Sequence, residues 1–326
     1  MPVNAIPNDL LAHAHGMRPL RESGDRLHRV GENGVVAINA TGDGRVEFIA
    51  WPTHVLAYVH SALGYPAYYP VRRVELKKPI VAVLMDLDGT TVRSEEFWVW
   101  IIERTVASLR RESAFHFEPP DLPFVSGHSV SEHLQYAIRK YCPAATLEEA
   151  RRWYTDHTHR ELAEIAAGRG RVEAFTPAPG IKPFLLMLKQ RGLKLGLVTS
   201  GLYEKAWPAI VAVFRQLDLG SPTDFYDAII SAGFALRPGS VGTLGELSPK
   251  PHPWLYAETA RVGLHLKPEQ SDHVIAIEDS GAGVCAARIA GFPTIGIGGG
   301  NILQSGTRAL CAAYCETFDE IAALIA

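Results

Sequence analysis

Two aspartates end an apolar run near residue 85. Residues Ile80–Met85 are all apolar, and Asp86, Asp88 and Gly89 follow within four positions. An uninterrupted run of this kind predicts a strand buried on both faces, which is typical of a parallel sheet covered by helices. Ligands of such sheets bind beyond the carboxyl ends of the strands. Two carboxylates there favour an oxygen-rich site for Mg²⁺, in which one aspartate is free to act as a nucleophile.

The simplest alternative is a capped turn, since Asp-Gly is a common turn pair, and for this pair alone the turn is the better interpretation. Three further polar clusters come later in the chain, after apolar strands or before helices. Each alone also has a structural explanation: a helix N-cap, a solvated loop lysine, or acids at a helix start. Their joint occurrence in order favours one shared site, and they are Thr199-Ser200-Gly201, Lys250 and Glu278-Asp279.

Composition excludes several classes of protein. The chain has 326 residues, of which 47% are hydrophobic and 21% charged, which indicates a globular protein of two domains with a smaller appendage. A net charge of -3 argues against a nucleic-acid binder. No apolar stretch approaches the ~20 residues of a membrane span, and Met1–Asn4 does not begin a signal pattern. The four cysteines lack the spacing of a zinc site. Cys311 and Cys315 are spaced for one helix face, and we interpret them as buried apolar residues. We therefore expect a protein of the reducing cytoplasm.

Three regions differ in their periodicity. Residues 1–75 contain turn signals around two strand-like runs, Val35–Ile38 and Arg45–Trp51, and predict a small antiparallel meander with a short helix from Thr53 to about Leu63. Residues 94–167 have helical spacing throughout, including a capping box formed by Thr146 and Glu149.

After Pro179-Gly180, strands and helices alternate, which predicts a parallel sheet with right-handed crossovers. The expected strands are Lys194–Val198, Ala228–Ile230, His273–Ile277 and Pro293–Ile297, and the expected helices include Lys182–Gln190, Trp254–Val262 and Gly283–Ala290.

The four polar clusters, taken in order, resemble the four sequence motifs of the haloacid dehalogenase superfamily, and in particular its phosphoglycolate phosphatase and beta-phosphoglucomutase group. The resemblance covers about residues 79–326 and includes Thr176–Gly180, Lys250–Pro253 and Ile277–Gly283. It implies an α/β fold: a Rossmann-like parallel sheet with helices on both faces and an inserted helical cap. The implied domains are a small N-terminal α+β extension (1–75), the catalytic core (76–92 and 178–326) and the cap (93–177).

The resemblance also implies a role for each residue. Asp86 would attack phosphorus and form an aspartyl phosphate, while Asp88 would act as the general acid and base. Thr199, with the amides of Ser200 and Gly201, would hold the phosphate oxygens, and Lys250 would bind phosphate and Asp86. The implied ligands of Mg²⁺ are Asp86, Asp88 through its carbonyl, Asp279 and Glu278.

Within the family that the sequence resembles, the dehalogenase branch lacks an aspartate at the position of Asp88, because the leaving group of an alkyl halide needs no proton. The resemblance therefore implies a phosphate ester as substrate. Arg93, at the expected hinge of the cap, and His128, on an expected cap loop, are candidates for substrate contact. The sequence therefore predicts a Mg²⁺-dependent phosphatase of a small phosphorylated metabolite, with no nucleic-acid or membrane partner. Two alternatives stay open: a phosphomutase of the same architecture, and a binding or regulatory protein that has lost turnover.

Overall fold

A computed structural model describes residues 16–60, 66–125, 130–171, 173–232 and 248–326. The chain forms two compact units. The first comprises Met1–Thr91, Pro179–Ala206 and Ser221–Ala326, and the second comprises Val92–Ala178 and Trp207–Gly220. Within the described ranges, no helix combines the length and the hydropathy that crossing a bilayer requires. The three domain boundaries expected from the sequence stay a prediction.

The N-terminal part of the first unit is an antiparallel sheet of five strands. Neighbouring strands in the chain pair in order along the sheet, so the predicted meander is present. The strands are β1 (Arg18–Leu20), β2 (Ala37–Ala40), β3 (Val46–Ala50), β4 (Val55–Val59) and β5 (Ala67–Val71).

The helix predicted from Thr53 is wrong. The chain turns at Pro52 and Thr53, where the Trp51 amide donates to the His54 carbonyl at 2.8 Å, and strand β4 follows. Strand β4 pairs along its whole length with β3 and β5, and burial of Val55, Ala57 and Val59 on one face favours the strand over an isolated helical turn.

The same unit contains a six-stranded sheet in which every pair is parallel. Its strands are β6 (Ala82–Asp86), β9 (Lys194–Val198), β10 (Ala228–Ile230), β11 (Val274–Glu278), β12 (Thr294–Ile297) and β13 (Ala313–Cys315). The helices that alternate with them are α5 (Ile181–Gln190), α6 (Tyr203–Leu217), α7 (Pro222–Phe225), α8 (Trp254–Glu258), α9 (Gly281–Ile289) and α10 (Phe318–Ile325).

The strand order places a crevice beside β6. The order is β10-β9-β6-β11-β12-β13, so the chain moves outward from β6 in one direction and then returns to build the other half. Strands β6 and β11 are therefore neighbours whose following segments leave in opposite directions. In open parallel sheets this switch point is where ligands bind, beyond the carboxyl ends of the strands.

The antiparallel sheet packs on the six-stranded part through one face. That face forms an apolar cluster with α9 and the segment after β12, including Phe48, Ala57, Val284 and Cys285. The Gly42 amide donates to the Ser305 carbonyl at 2.9 Å. Arg72 donates to the Gly291 carbonyl at 2.5 Å. The antiparallel sheet is thus fastened to the parallel core.

The second unit is mainly helical, as predicted. Its elements are β7 (Val92–Arg93), α1 (Glu95–Arg110), α2 (Leu122–Val125), α3 (Val130–Tyr141), α4 (Leu147–Ala166) and β8 (Thr176–Pro177), together with the part of α6 that begins at Trp207. Strands β7 and β8 pair with each other. The predicted capping box of α4 is present, since Thr146 accepts from the Glu149 amide and Glu149 accepts from the Thr146 amide.

One smaller expectation is wrong, and another is confirmed with a change of helix type. Cys311 and Cys315 do not share a helix face, because Cys315 ends strand β13, which pairs with β12. The helix predicted over Trp254–Val262 ends as an α-helix at Glu258 and continues as a π-helical turn over Thr259–Gly263. Residues 237–247, a Gly-rich stretch of the sequence, lie outside the described residues.

Candidate active site

Three carboxylates meet at the switch point of the parallel sheet. Asp86 is the last residue of β6 and Glu278 the last of β11, so pairing of these strands brings their carboxyl ends together. Asp279 follows directly. All three residues are buried, with one oxygen of each within 4.8 Å of the others. Within the described ranges this is the only group of three or more potential metal ligands of the Asp, Glu, His or Cys type.

Lys250 places its ammonium among these acids. Its Nζ donates to Asp86 and, at 2.6 Å, to Oε1 of Glu278. The Lys250 and Asp86 side chains are 7% and 8% exposed, and that of Glu278 is fully buried, so solvent screens this group little. The sequence predicted the contact of Lys250 with Asp86, but the second contact, with Glu278, could not be inferred from spacing.

Burial and charge act together on the titrating groups. Burial raises the pKa of Asp86 well above its usual value, Glu278 and Asp279 raise it further, and Lys250 opposes them. For Lys250, burial acts to lower the pKa, but the charges of Asp86 and Glu278 outweigh it and raise the pKa above its ordinary value. Lys250 is therefore an ammonium that counters part of the negative charge.

Residues after β9 lie beside the acids. Thr199 Oγ1 accepts from the Gly201 amide at 3.0 Å and donates to Asp88 at 3.4 Å. Ser200 Oγ accepts from the Lys250 amide at 3.2 Å. Thr199 is buried, whereas the Asp88 side chain is exposed. The structure thus brings together the residues predicted from all four motifs.

Sequence reasoning missed several side chains that hold the acids in place. Tyr256, on α8, donates to Glu278 at 2.5 Å, and Ser280 donates to the other oxygen of Glu278 at 3.0 Å. Thr90 donates to Asp279 at 3.3 Å. Thr90 belongs to the first motif and could have been suspected, but nothing in the local sequence marks Tyr256.

Two glycines allow the backbone to approach these carboxylates. A Cβ on Gly283 would lie inside the carboxyl group of Glu278, and one on Gly300 would collide with the backbone and side chain of Asp279. Each glycine is thus required by close approach, because any larger residue would displace an acid of the site.

No described contact brings the two candidate substrate residues to the site. Arg93 lies in β7 of the second unit, half-buried and opposite Thr176. His128 lies outside the described residues. Among the other histidines, His157 is buried and its Nε2 shares a hydrogen bond of 2.8 Å with the Ser108 hydroxyl.

Comparison with known proteins identifies the family. Residues 80–291 match the model of the haloacid dehalogenase-like hydrolases. The chain belongs to that family. A glyceraldehyde 3-phosphate phosphatase of Methanopyrus kandleri is 33% identical over 98 residues, which span 30% of this chain and 34% of that protein. The match therefore covers only about a third of that relative.

Solved structures of this hydrolase family have the same fold. A protein of Haemophilus somnus predicted to be a phosphoglycolate phosphatase superposes with a TM-score of 0.56 at 18% identity, covering 76% of this chain and 98% of that one. A candidate beta-phosphoglucomutase of Thermotoga maritima gives a TM-score of 0.52 at 20% identity over the same shares. At these identities the likeness establishes the Rossmann-like core fold of this hydrolase.

Proposed function

We propose that this hydrolase cleaves a phosphate monoester of a small metabolite through an aspartyl phosphate on Asp86. The observation that carries the proposal is the position of Lys250, whose ammonium contacts Asp86 and Glu278 at the switch point of the sheet. A cation there can bind a phosphate oxygen and orient the carboxylate at the same time. The curated relative is a phosphatase, which supports the same reaction class.

The first step transfers the phosphoryl group to Asp86. An oxygen of Asp86 forms a bond to phosphorus while the bond from phosphorus to the ester oxygen breaks. Asp88, exposed beside Thr199, gives its proton to the departing oxygen, which leaves as an alcohol. Thr199 and the amides of Ser200 and Gly201 hold the equatorial oxygens, which gain charge in the transition state.

The second step returns the enzyme to its starting state. Asp88, now a carboxylate, takes a proton from water as the water oxygen attacks phosphorus. The bond between phosphorus and Asp86 breaks, and inorganic phosphate leaves. Asp88 is protonated again, so each turnover consumes one water and releases one alcohol and one phosphate.

The donor set fits Mg²⁺. The three buried carboxyl groups outnumber the single ammonium of Lys250, and their oxygens are hard ligands. We propose that Asp86 and Asp279 hold the ion, with the Asp88 carbonyl, and with Glu278 directly or through water. Bound there, the ion would reduce repulsion between the carboxylate nucleophile and the anionic phosphate.

We propose that the helical second unit is a cap domain that selects the substrate, with Arg93 and His128 as candidate contacts. Units inserted in this way exclude water and choose substrates in enzymes that close around their ligand. The net charge of -3 favours a small metabolite over nucleic acid, and we expect the enzyme to act in the cytoplasm.

The test is phosphate release with Mg²⁺ across phosphorylated sugars, phosphoglycolate-like acids and nucleotides. We expect release from a few members, lost in Asp86→Asn and on addition of a chelator. Asp224→Asn, which changes an exposed aspartate in the same unit, serves as the matched control and should retain activity. Little release but a stable phosphoenzyme would indicate a phosphomutase. Absence of both release and labelling would refute the proposed chemistry.

A further inference from the structure

The antiparallel sheet of residues 18–71 contacts the loop that carries Lys250. Tyr69 of β5 shares a hydrogen bond of 2.8 Å with Nδ1 of His252, two residues after the lysine. The two rings also meet edge to face, with centroids 5.8 Å apart. The Tyr69 ring meets the Trp254 ring in the same way, with centroids 5.9 Å apart. One tyrosine thus contacts both ends of the segment His252–Trp254.

The placement of Tyr69 follows from strand geometry. Ala67, Tyr69 and Val71 point to one face of β5, and Tyr68 and Pro70 to the other. The first face packs on the parallel core, since Tyr69 and Val71 join the apolar cluster with α9. The second face packs within the N-terminal part, where Tyr68 lies with Tyr58 and Ile49. Adjacent tyrosines on one strand therefore serve opposite faces.

His252 is held as a buried link rather than as a solvated loop residue. It is 4% exposed, and its Nε2 has no hydrogen-bond partner among the described residues, so the bond to Tyr69 is its side chain's one described polar contact. Its amide donates to the Pro249 carbonyl at 3.1 Å, which closes a turn around Lys250. Because an unpaired polar group is costly in a buried place, the hydrogen bond to Tyr69 holds the imidazole of His252 in this position.

We infer that Tyr69 and His252 are positioning residues, through which the N-terminal sheet sets the position of the Lys250 ammonium. The inference rests on the proposed function, because it takes Lys250 as the phosphate-binding cation. Lys250 is followed within two residues by the His252 anchor, and its own amide is fixed by Ser200 at 3.2 Å. Removing the Tyr69 hydroxyl would break the hydrogen bond at His252 and leave the bond from the Lys250 amide to Ser200 as the remaining one of these two. A reacting group that moves by about 1 Å can lose about a hundredfold in rate, and loosening one support should cost part of that.

The test compares Tyr69→Phe with Tyr68→Phe. Each variant removes one hydroxyl and one hydrogen bond from the same strand, since Tyr68 donates to Asp25, but only Tyr69 contacts the lysine loop. With p-nitrophenyl phosphate as substrate, we expect Tyr69→Phe to lower kcat/KM by about tenfold and to weaken inhibition by inorganic phosphate, with Tyr68→Phe within about twofold of wild type. His252→Asn, which keeps a nitrogen near the Nδ1 position, should retain more activity than His252→Ala.

The KM and the phosphate inhibition constant separate positioning from folding. A merely structural loss lowers the amount of active enzyme and reduces apparent kcat, but leaves both constants unchanged. Equal effects of Tyr69→Phe and Tyr68→Phe, or a fall in apparent kcat alone, would overturn the inference.

A readout independent of turnover separates this inference from the proposed function. Lys250 is 7% exposed on its side chain and Lys77 is 49% exposed, so acetylation by acetic anhydride should label Lys250 slowly relative to Lys77. Mass spectrometry should find Lys250 labelled several-fold faster in Tyr69→Phe and unchanged in Tyr68→Phe. An inactive wild type would refute the proposed function without deciding the present inference. Faster labelling of Lys250 in Tyr69→Phe would still support the positioning role of Tyr69, and unchanged labelling in that variant would overturn it.

Discussion

Replacing Lys250 by methionine should destabilise the protein more than any surface lysine substitution does. The ammonium lies between Asp86 and Glu278, whose side chains are 8% and 0% exposed. Removing one partner of a buried ion pair costs about 3–5 kcal/mol, because the remaining charge is left without compensation. Here Asp86 and Glu278 would both lose the cation that they share, and Asp279 lies beside them. We therefore expect the loss of unfolding free energy to be at the upper end of that range.

The matched control is Lys189→Met. Lys189 pairs with Asp227 at 3.4 Å, but these side chains are 33% and 42% exposed, and exposed pairs are worth about 0–1 kcal/mol. Urea unfolding followed by far-ultraviolet circular dichroism, in a chelator, measures both variants. We expect a difference of at least about 2 kcal/mol between the two losses.

A double-mutant cycle identifies the cause. Glu278→Gln removes one of the charges that Lys250 neutralises, so Lys250→Met should cost less in that background than in the wild type. The two losses should fail to add by about 1–3 kcal/mol, the range for groups in one buried network. The reasoning is refuted if Lys250→Met costs no more than Lys189→Met, or if the single losses add within about 0.5 kcal/mol.

Two further predictions concern Gly283, beside Glu278, and His157 in the helical unit. Gly283→Ala, which in most helices stabilises by up to about 1 kcal/mol, should here lower the melting temperature and the activity, because its Cβ would occupy the carboxyl position of Glu278; a higher melting temperature would contradict this. Burial lowers the pKa of His157, and the charges of two arginines lower it further. Below about pH 6.5 the unfolded chain therefore binds a proton at this histidine more readily than the folded protein does, which favours unfolding. Stability should therefore fall from pH 7.5 to 5.5 with a slope from this group of at most about 1.4 kcal/mol per pH unit, and less steeply in His157→Gln, as urea unfolding at both pH values would measure.

Most of the site residues could be predicted because they end or directly follow a short, strongly apolar strand, Lys250 on its loop being the exception. Strands β6, β9 and β11 are buried on both faces, so their polar successors stand out in the sequence. The order of the strands across the sheet could not be predicted in this way. Nothing local says that β11 returns to the side of β6 opposite β9, and it is this pairing that puts Glu278 beside Lys250.

The short strand β13 illustrates how tertiary pairing overrides a local pattern. Cys311 and Cys315 are four residues apart, a spacing that suits a helix face. Three residues, Ala313–Cys315, instead complete the edge of the parallel sheet through pairing with β12. Such a segment is too short to have a periodicity of its own, because a strand and a helix differ clearly only over longer windows.

The sequence does contain a signal that the N-terminal sheet packs on the parallel core. That signal lies in helix α9 rather than in the sheet itself. A helix on the outside of an open sheet needs one apolar stripe and presents a polar face to water. Gly281–Ile289 has one charged residue and is apolar all round, and eight of its nine residues are buried. Such a helix needs cover on two sides.

The structure supplies that cover from two different sources. At 100° per residue, Val284, Cys285 and Ile289 lie within about 140° of one another, and these pack against the N-terminal sheet. Ala286 and Ala287 point the other way, into the cluster of the parallel core. Because α9 begins directly after Glu278 and Asp279, the surface that covers it also fixes the segment that carries two of the acids. The same sheet thus contacts the chain after the carboxylates and the chain after Lys250, the two segments whose spacing sets the distance between the acids and the Lys250 ammonium.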